Sequence, residues 1–143
     1  MRRTIDILAV LIAVLFGAVG CATPHKSDSA TLQGTWQGRE AGDNPGGPCY
    51  LVISGNNLDF RGANADEWYK GTFTLREDTN PRQLVGIVTE CGAPDYVGKT
   101  AYVIYRIEGD ILTLAGNEPG NPEVPFGFDA PHARRFEFKR KGT

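Results

Sequence analysis

The chain has 143 residues, of which 41% are hydrophobic, and its formal net charge is −2. This length leaves room for one folded domain and a short leader. The slightly acidic balance argues against a nucleic-acid-binding protein, because such proteins present a basic face to the phosphates. The sequence has no Ser-His-Asp order, no metal-ligand spacing and no phosphate-binding glycine loop, so it predicts neither an enzyme nor a cofactor or metal site.

The N-terminal segment has the layout of an export signal. Met1-Arg2-Arg3 is positively charged, and the apolar run from Ile5 to Val19 is short for a membrane span. The stretch Leu15-Phe16-Gly17-Ala18-Val19-Gly20-Cys21 resembles the lipobox of bacterial lipoproteins. The resemblance implies that residues 1–20 are a lipoprotein signal peptide and that Cys21 is lipidated, with acyl chains such as palmitate. An ordinary signal peptide cleaved near Ala22 is the alternative.

Residues 21–31 are small and polar, which predicts a flexible tether between the membrane anchor and a domain over 32–143. Ala22, and not an aspartate, follows the lipidated position, and in a cell with two membranes this favours the outer one. We therefore expect an exported protein that its N-terminal lipid holds on a bacterial membrane, on the periplasmic side or at the cell surface.

Cys49 and Cys91 remain once Cys21 carries lipid. An even number of cysteines in an oxidising compartment favours a disulfide between them, with free thiols as the alternative. His25 and His132 lie at scattered positions and do not complete a metal site with the two cysteines.

The domain itself shows short apolar or alternating runs separated by Gly, Asn, Asp and Pro, and no helical period. This pattern predicts an all-β antiparallel fold. Eight strands that follow one another as a meander avoid exposed edges by closing into a barrel. The predicted strands cover residues 34–39, 48–53, 58–61, 68–76, 83–90, 99–107, 111–115 and 133–140.

Three stretches resemble a lipocalin-like domain that recurs in exported bacterial proteins of uncharacterised function. They are Leu32-Gln33-Gly34-Thr35-Trp36, Asn80-Pro81-Arg82-Gln83-Leu84 and Tyr105-Arg106-Ile107-Glu108-Gly109-Asp110-Ile111-Leu112-Thr113-Leu114. The resemblance covers nearly the whole domain and implies a lipocalin-like, up-and-down β-barrel. In such barrels an arginine of the last strand packs over the tryptophan of the first, which implies that Arg140 covers Trp36 at the closed end. A surface-exposed Lys139-Arg140-Lys141 tail is the alternative.

The lengths of the connections predict which end of the barrel is open. The four long ones, 40–47, 62–67, 91–98 and 116–132, all fall at one end of a meander, and both Cys49 and Cys91 belong to that end. The aromatic residues expected at the opening, and therefore the tentative ligand-binding residues, are Trp68, Tyr96, Phe126 and Phe128.

The acidic residues of these connections do not predict catalysis. Asp66 and Glu67 are adjacent, and Asp43 and Asp95 are expected near the same end. Ionised carboxylates are rarely buried without a partner, so we expect these side chains to be solvated.

The sequence therefore predicts a cell-envelope lipoprotein whose barrel either packs solid or holds one small apolar or amphipathic ligand. The alternative is an interaction or inhibitor protein that binds an envelope protein through the same long loops.

Overall fold

The computed structural model of the protein describes residues 20–21, 23–42 and 45–142. Over these residues the chain forms a closed barrel of eight antiparallel strands, in which each strand pairs with its neighbours in sequence and the last pairs with the first. The predicted all-β meander barrel is confirmed. The predicted signal peptide, apart from Gly20, lies outside the described residues, as do Ala22 and Asp43.

Every strand end lies within two residues of its predicted position. The strands are β1 (Gly34–Ala41), β2 (Pro48–Ser54), β3 (Asn57–Arg61), β4 (Trp68–Arg76), β5 (Arg82–Cys91), β6 (Thr100–Glu108), β7 (Ile111–Gly116) and β8 (Arg134–Arg140). The long connections meet at the end where β1 finishes and β8 begins, which we call the open end. The connections at the opposite, closed end are short.

A short helix, α1 (Asp28–Leu32), occupies the end of the segment predicted to be a flexible tether. Ser27 caps it, because its hydroxyl accepts a hydrogen bond of 3.2 Å from the Ala30 N–H. Leu32 is fully buried, so α1 packs against the closed end of the barrel. Five residues are too few for a helical period, and tertiary contacts hold this helix, which explains why the sequence pattern did not show it. Over the part of the chain that the structure describes, no helix is long and apolar enough to span a membrane.

The barrel closes between β1 and β8 through six residue pairs, from Trp36 opposite Arg140 to Ala41 opposite Arg135. The two backbones come very close at Gly38. A Cβ atom at this position would lie 1.9 Å from the carbonyl oxygen of Glu137, so only glycine fits without moving β8.

The closed half of the barrel interior is filled by side chains. Trp36, Leu32 and Leu112 are fully buried there, and Phe138 and Phe73 are 1% and 4% exposed. These side chains belong to α1 and to strands on different sides of the barrel, so one compact core fixes the helix and the wall together.

The long connection between β7 and β8 passes over the outer surface of the barrel. Ile104 and Ala115 point outward, on the faces of β6 and β7 opposite to the interior row, yet both are fully buried. Phe128 of the connection lies against the same surface, with its ring centroid 4.8 Å from the guanidinium carbon of Arg106 on β6. Around Phe128 this connection therefore forms a strap outside the barrel, whereas Asn117, Glu118, Pro119 and His132 at its two ends line the barrel interior.

Candidate functional site

The open half of the barrel contains a cavity of about 440 Å³. It extends from Leu32, next to the closed-end core, to Arg134 at the open end. Its volume lies in the range of small-molecule sites, and its wall is mostly apolar. The apolar wall side chains include Leu51, Ile53, Leu58, Phe60, Leu84, Val88, Val103, Leu112, Leu114 and Phe136.

Small residues keep this space open. Four consecutive strands, β4 to β7, each place one small residue on the cavity wall: Gly71, Gly86, Ala101 and Gly116. Gly86 lies opposite Ala101 across the β5–β6 pair, and a Cβ atom built on it would meet its nearest atoms at 3.8 Å, an ordinary contact distance. Glycine inside a strand is unfavourable by roughly 0.5–1 kcal/mol relative to alanine. No close approach of another backbone requires a glycine at position 86, so the structural effect of Gly86 is to leave room in the cavity.

Four aromatic rings form a row along the cavity wall at the open end. Tyr96, Tyr69, Phe60 and Phe136 follow one another with centroid separations of 6.3, 6.2 and 5.2 Å. The spacing and the tilted or edge-on orientations are those of favourable aromatic pairs. The row makes this part of the wall stiff and gives it polarisable ring faces.

Arg134 lies at the rim of the cavity and is held by two carboxylates. Its Nε and Nη2 donate to the two oxygens of Glu40 at 2.8 and 2.7 Å, and its Nη1 lies 2.5 Å from Oε1 of Glu67. Hydrogen bonding to Arg134 lowers the pKa of Glu40. The same two carboxylates raise the pKa of Arg134, so the guanidinium stays charged at any physiological pH. This cluster ties β8 to β1 and to the connection before β4.

One of the acidic residues that were predicted to be solvated is instead largely buried. Asp66 and Asp95 are exposed as expected, but the side chain of Glu67 is only 15% exposed because it pairs with Arg134. The expectation was wrong for Glu67 because no local pattern indicates that a basic side chain of β8 reaches it.

The predicted Cys49–Cys91 disulfide is absent, and both residues are free thiols. They do lie at the same end of the barrel, but on β2 and β5, which are separated by β3 and β4. Three strand spacings correspond to about 14 Å along the wall, whereas bridged cysteines need Cα atoms less than about 7 Å apart. Burial raises the pKa of Cys49, which is 2% exposed, and the Cys91 thiol donates to the Ala93 carbonyl at 2.7 Å.

Of the four predicted mouth residues, the structure places only Tyr96 on the cavity wall. Trp68 begins β4 on the face opposite to Tyr69 and packs against Gly92. Phe128 lies under Arg106 outside the barrel, and Phe126 is 81% exposed on the strap. The prediction for the last two is corrected, because it assumed that a long connection at the open end would fold over the opening.

The predicted contact between Arg140 and Trp36 is confirmed. The guanidinium carbon of Arg140 lies 4.2 Å from the Trp36 ring centroid. Its Nη1 and Nη2 donate to the carbonyls of Gln33 and Thr31 at 2.8 and 2.5 Å, and the Trp36 indole N–H donates to the Leu32 carbonyl at 2.9 Å. Arg140 thus binds the carbonyl groups at the end of α1 and seals the closed end.

A second buried cluster anchors the start of α1. Asp28 is 6% exposed and accepts hydrogen bonds from the Tyr105 hydroxyl at 2.7 Å and from Arg82 at 2.8 Å. Burial, and then this hydrogen bond to Asp28, raises the pKa of Tyr105. Asp28 lies in the segment predicted to be a tether, and its pairing with Arg82 and Tyr105 was not predicted, because these partners are far from it in the chain.

Arg134 is a residue of the cavity rim that was not predicted from the sequence, although a signal existed. Side-chain alternation along β8 puts Phe136, Phe138 and Arg140 in one row, and the same alternation extended by one step towards the N-terminus reaches Arg134. Sequence alone did not show that Glu40 and Glu67 would neutralise a charge in this position.

In the ranges 20–21, 23–42 and 45–142, no three His, Cys, Asp or Glu side chains group together as ligands for a metal ion. No family model, curated protein or solved structure matches the chain.

Proposed function

We propose that the protein binds one small apolar or amphipathic ligand inside its barrel, as the lipocalin-like resemblance of the sequence suggests. The observation that carries this proposal is the cavity of about 440 Å³ in a barrel whose closed half is fully packed. A structural barrel could fill both halves with side chains, and here Gly86 and Ala101 leave the open half unfilled.

The distribution of polar groups supports an amphipathic ligand. The deep wall near Leu32 and Leu112 is aliphatic, while polar and charged residues are found on the wall near the open end, among them Asn117, Glu118, His132 and Arg134. An apolar portion would lie among the aliphatic side chains, where its burial contributes about 25 cal/mol per Å². A polar head would stay at the rim, in contact with water.

We further propose that the protein is a lipid-anchored envelope protein, with Cys21 as the lipidated residue. Cys21 is exposed, and α1, which follows the tether, packs at the closed end. An anchored barrel would therefore turn its opening away from the membrane, so that it could take up or deliver a ligand from the aqueous compartment. Labelling with radioactive palmitate in a bacterial host, in wild type and Cys21→Ser, tests this part separately.

A cavity-filling substitution tests ligand binding. Gly86→Leu adds a side chain that points into the cavity from a position where a Cβ atom already fits. We expect the variant to be at least as stable as the wild type and to lose at least tenfold in affinity for a decyl-chain amphiphile. Thr74→Leu is the matched control, because Thr74 is exposed on the outer face of β4 and does not line the cavity.

Native mass spectrometry of the purified full-length chain gives the second readout. A small molecule that co-purifies with the wild type and with Thr74→Leu, but not with Gly86→Leu, would support the proposal. Equal amphiphile affinities for all three proteins would contradict it and would leave partner binding through the long loops as the function to test.

A further inference from the structure

We propose that the cavity selects amphiphiles with a positively charged head group, which would lie at the open end against Tyr69 and Phe60. This inference rests on the proposed function and specifies the ligand class of the same cavity. Two independent features of the rim lead to it: the balance of charges around the opening and the row of aromatic rings.

Three carboxylates lie at the opening, those of Glu40, Glu67 and Glu118, against two basic groups, Arg134 and Lys99. Glu40 and Glu67 both pair with the single guanidinium of Arg134, so this cluster has a net charge of −1. Glu118 also lines the cavity, is exposed, and makes no ion pair with any residue that the structure describes. An anionic head group at the rim would therefore meet repulsion, and a cationic one attraction.

The other basic residues nearby do not reverse this balance. Lys99 already lies over the Tyr96 ring, with its Nζ 5.7 Å from the centroid. Lys70 is among the residues that line the cavity, but its side chain has an outward position on β4, where its cross-strand neighbours are the acidic residues Asp59 and Glu90.

The aromatic row offers ring faces that attract cations. The two outer rings of the row already carry one each: Lys99 lies over Tyr96, and the guanidinium carbon of Arg134 is 5.1 Å from the Phe136 centroid. The two central rings, Phe60 and Tyr69, have no cation from the described part of the chain. Aromatic faces bind quaternary ammonium groups through the same electrostatic attraction. A cationic head group of the ligand would lie over the two central rings in the same way as Lys99 and Arg134 lie over the two outer ones.

Three amphiphiles with the same chain and different heads separate the alternatives. Decyltrimethylammonium, decanol and decanoate are titrated into the full-length chain at pH 7.5 by isothermal titration calorimetry, below their aggregation concentrations. We expect decyltrimethylammonium to bind roughly 3- to 30-fold more tightly than decanol, which is the range that a cation–ring contact supplies. Decanoate should bind more weakly than decanol.

Two variants assign the preference to the rim. Tyr69→Leu, which removes a ring but keeps an apolar side chain, and Glu118→Gln should each lower the ratio of the affinity for decyltrimethylammonium to the affinity for decanol about three- to tenfold. Glu123→Gln is the matched control, because Glu123 lies in the same connection, is exposed and does not line the cavity.

The outcomes distinguish this inference from the proposed function. If decanoate or decanol binds as tightly as decyltrimethylammonium, the head-group preference is wrong, while ligand binding in the barrel stands. If none of the three amphiphiles binds, the proposed function fails and the inference fails with it. Equal losses in Glu118→Gln and Glu123→Gln would also overturn the inference.

Discussion

The guanidinium of Arg140 covers the face of the Trp36 indole, with 4.2 Å between the guanidinium carbon and the ring centroid. Arg140 ends the last strand and Trp36 lies near the start of the first, so this contact joins the two ends of the domain. The same guanidinium donates to the carbonyls of Thr31 and Gln33. It therefore connects barrel closure to the seating of α1.

Arg140→Ala should destabilise the protein by about 2–4 kcal/mol, because it removes the ring contact and two charge-assisted hydrogen bonds. In a double-mutant cycle with Trp36→Phe, measured by urea unfolding, we expect a coupling energy of about 0.5–2 kcal/mol. Lys139→Ala is the control for loss of a charge on the same strand, since Lys139 is exposed. Strictly additive effects of Trp36→Phe and Arg140→Ala would contradict the pairing.

The raised pKa of Tyr105 predicts that the protein loses stability at high pH. Its folded-state pKa is raised above the ordinary value of 10.0, so the native state holds the proton over a range in which the unfolded state releases it. The unfolding free energy should therefore fall with pH above about 10, by up to about 1.4 kcal/mol per pH unit. Tyr105→Phe lacks this proton and should be about 1–2 kcal/mol less stable at neutral pH. The difference between the two proteins should narrow as the pH rises.

Urea unfolding from pH 7 to pH 11.5 measures this difference. Tyr102→Phe, on the outward face of the same strand, shows the effect of removing a tyrosine that does not bind Asp28. A constant gap between wild type and Tyr105→Phe up to pH 11.5 would show that the hydroxyl does not keep its proton through Asp28 and burial.

The lowered pKa of Glu40 predicts that the protein also loses stability at low pH. Its pKa is lowered from 4.5 in the folded protein by the hydrogen bonds from Arg134. The contribution of Glu40 to stability is thus present above pH 4.5 and disappears as the pH falls through the folded-state pKa. Glu40→Gln should cost roughly 0.5–1 kcal/mol at pH 7, since the pair is partly exposed, and close to nothing at pH 3. Urea midpoints at both pH values measure the gap, and Glu123→Gln should match the wild type at both. A gap that persists at pH 3 would rule out the ion pair as its cause.

The three thiols should differ in reactivity. Cys21 is exposed, Cys91 is partly exposed, and Cys49 is buried with a raised pKa. In protein made without lipidation, iodoacetamide should modify Cys21 and Cys91 in the native state and Cys49 only after unfolding in urea. Peptide mass spectrometry of each residue measures the rates. Recovery of a Cys49–Cys91 linked peptide from unreduced native protein would contradict the free thiols of the structure.

The strands were predictable because each depends on local information. Alternation of side chains, as in Tyr69, Gly71, Phe73 and Leu75 of β4, and turns with Gly at the tight positions specify strands without reference to distant residues. The order of strands in a meander then determined which connections share an end. The contact between Arg140 and Trp36 followed from the family resemblance.

The features that were missed depend on distances around the barrel. Parity placed Cys49 and Cys91 at one end, but it carries no information on how many strands lie between them. The strap formed by the connection between β7 and β8 includes a contact of Phe128 with Arg106 on the outer face of β6, which no local pattern encodes. Whether the barrel contains a cavity could not be predicted from the sequence. An inward glycine such as Gly86 leaves space only if the neighbouring side chains do not fill it, and the sequence does not show how they pack.

The seam at Gly38 has a consequence for how the protein is made. The residues that meet there, and the Arg140–Gln33 hydrogen bond beside them, are about a hundred positions apart, 107 for that bond. During synthesis β1 and β7 therefore stay as bare sheet edges until the C-terminal strand emerges, and such edges recruit other chains. Loss of only the last few residues, or a side chain at position 38, would leave a nearly complete barrel with two unpaired strand edges. Such a protein would be prone to aggregate in a cell.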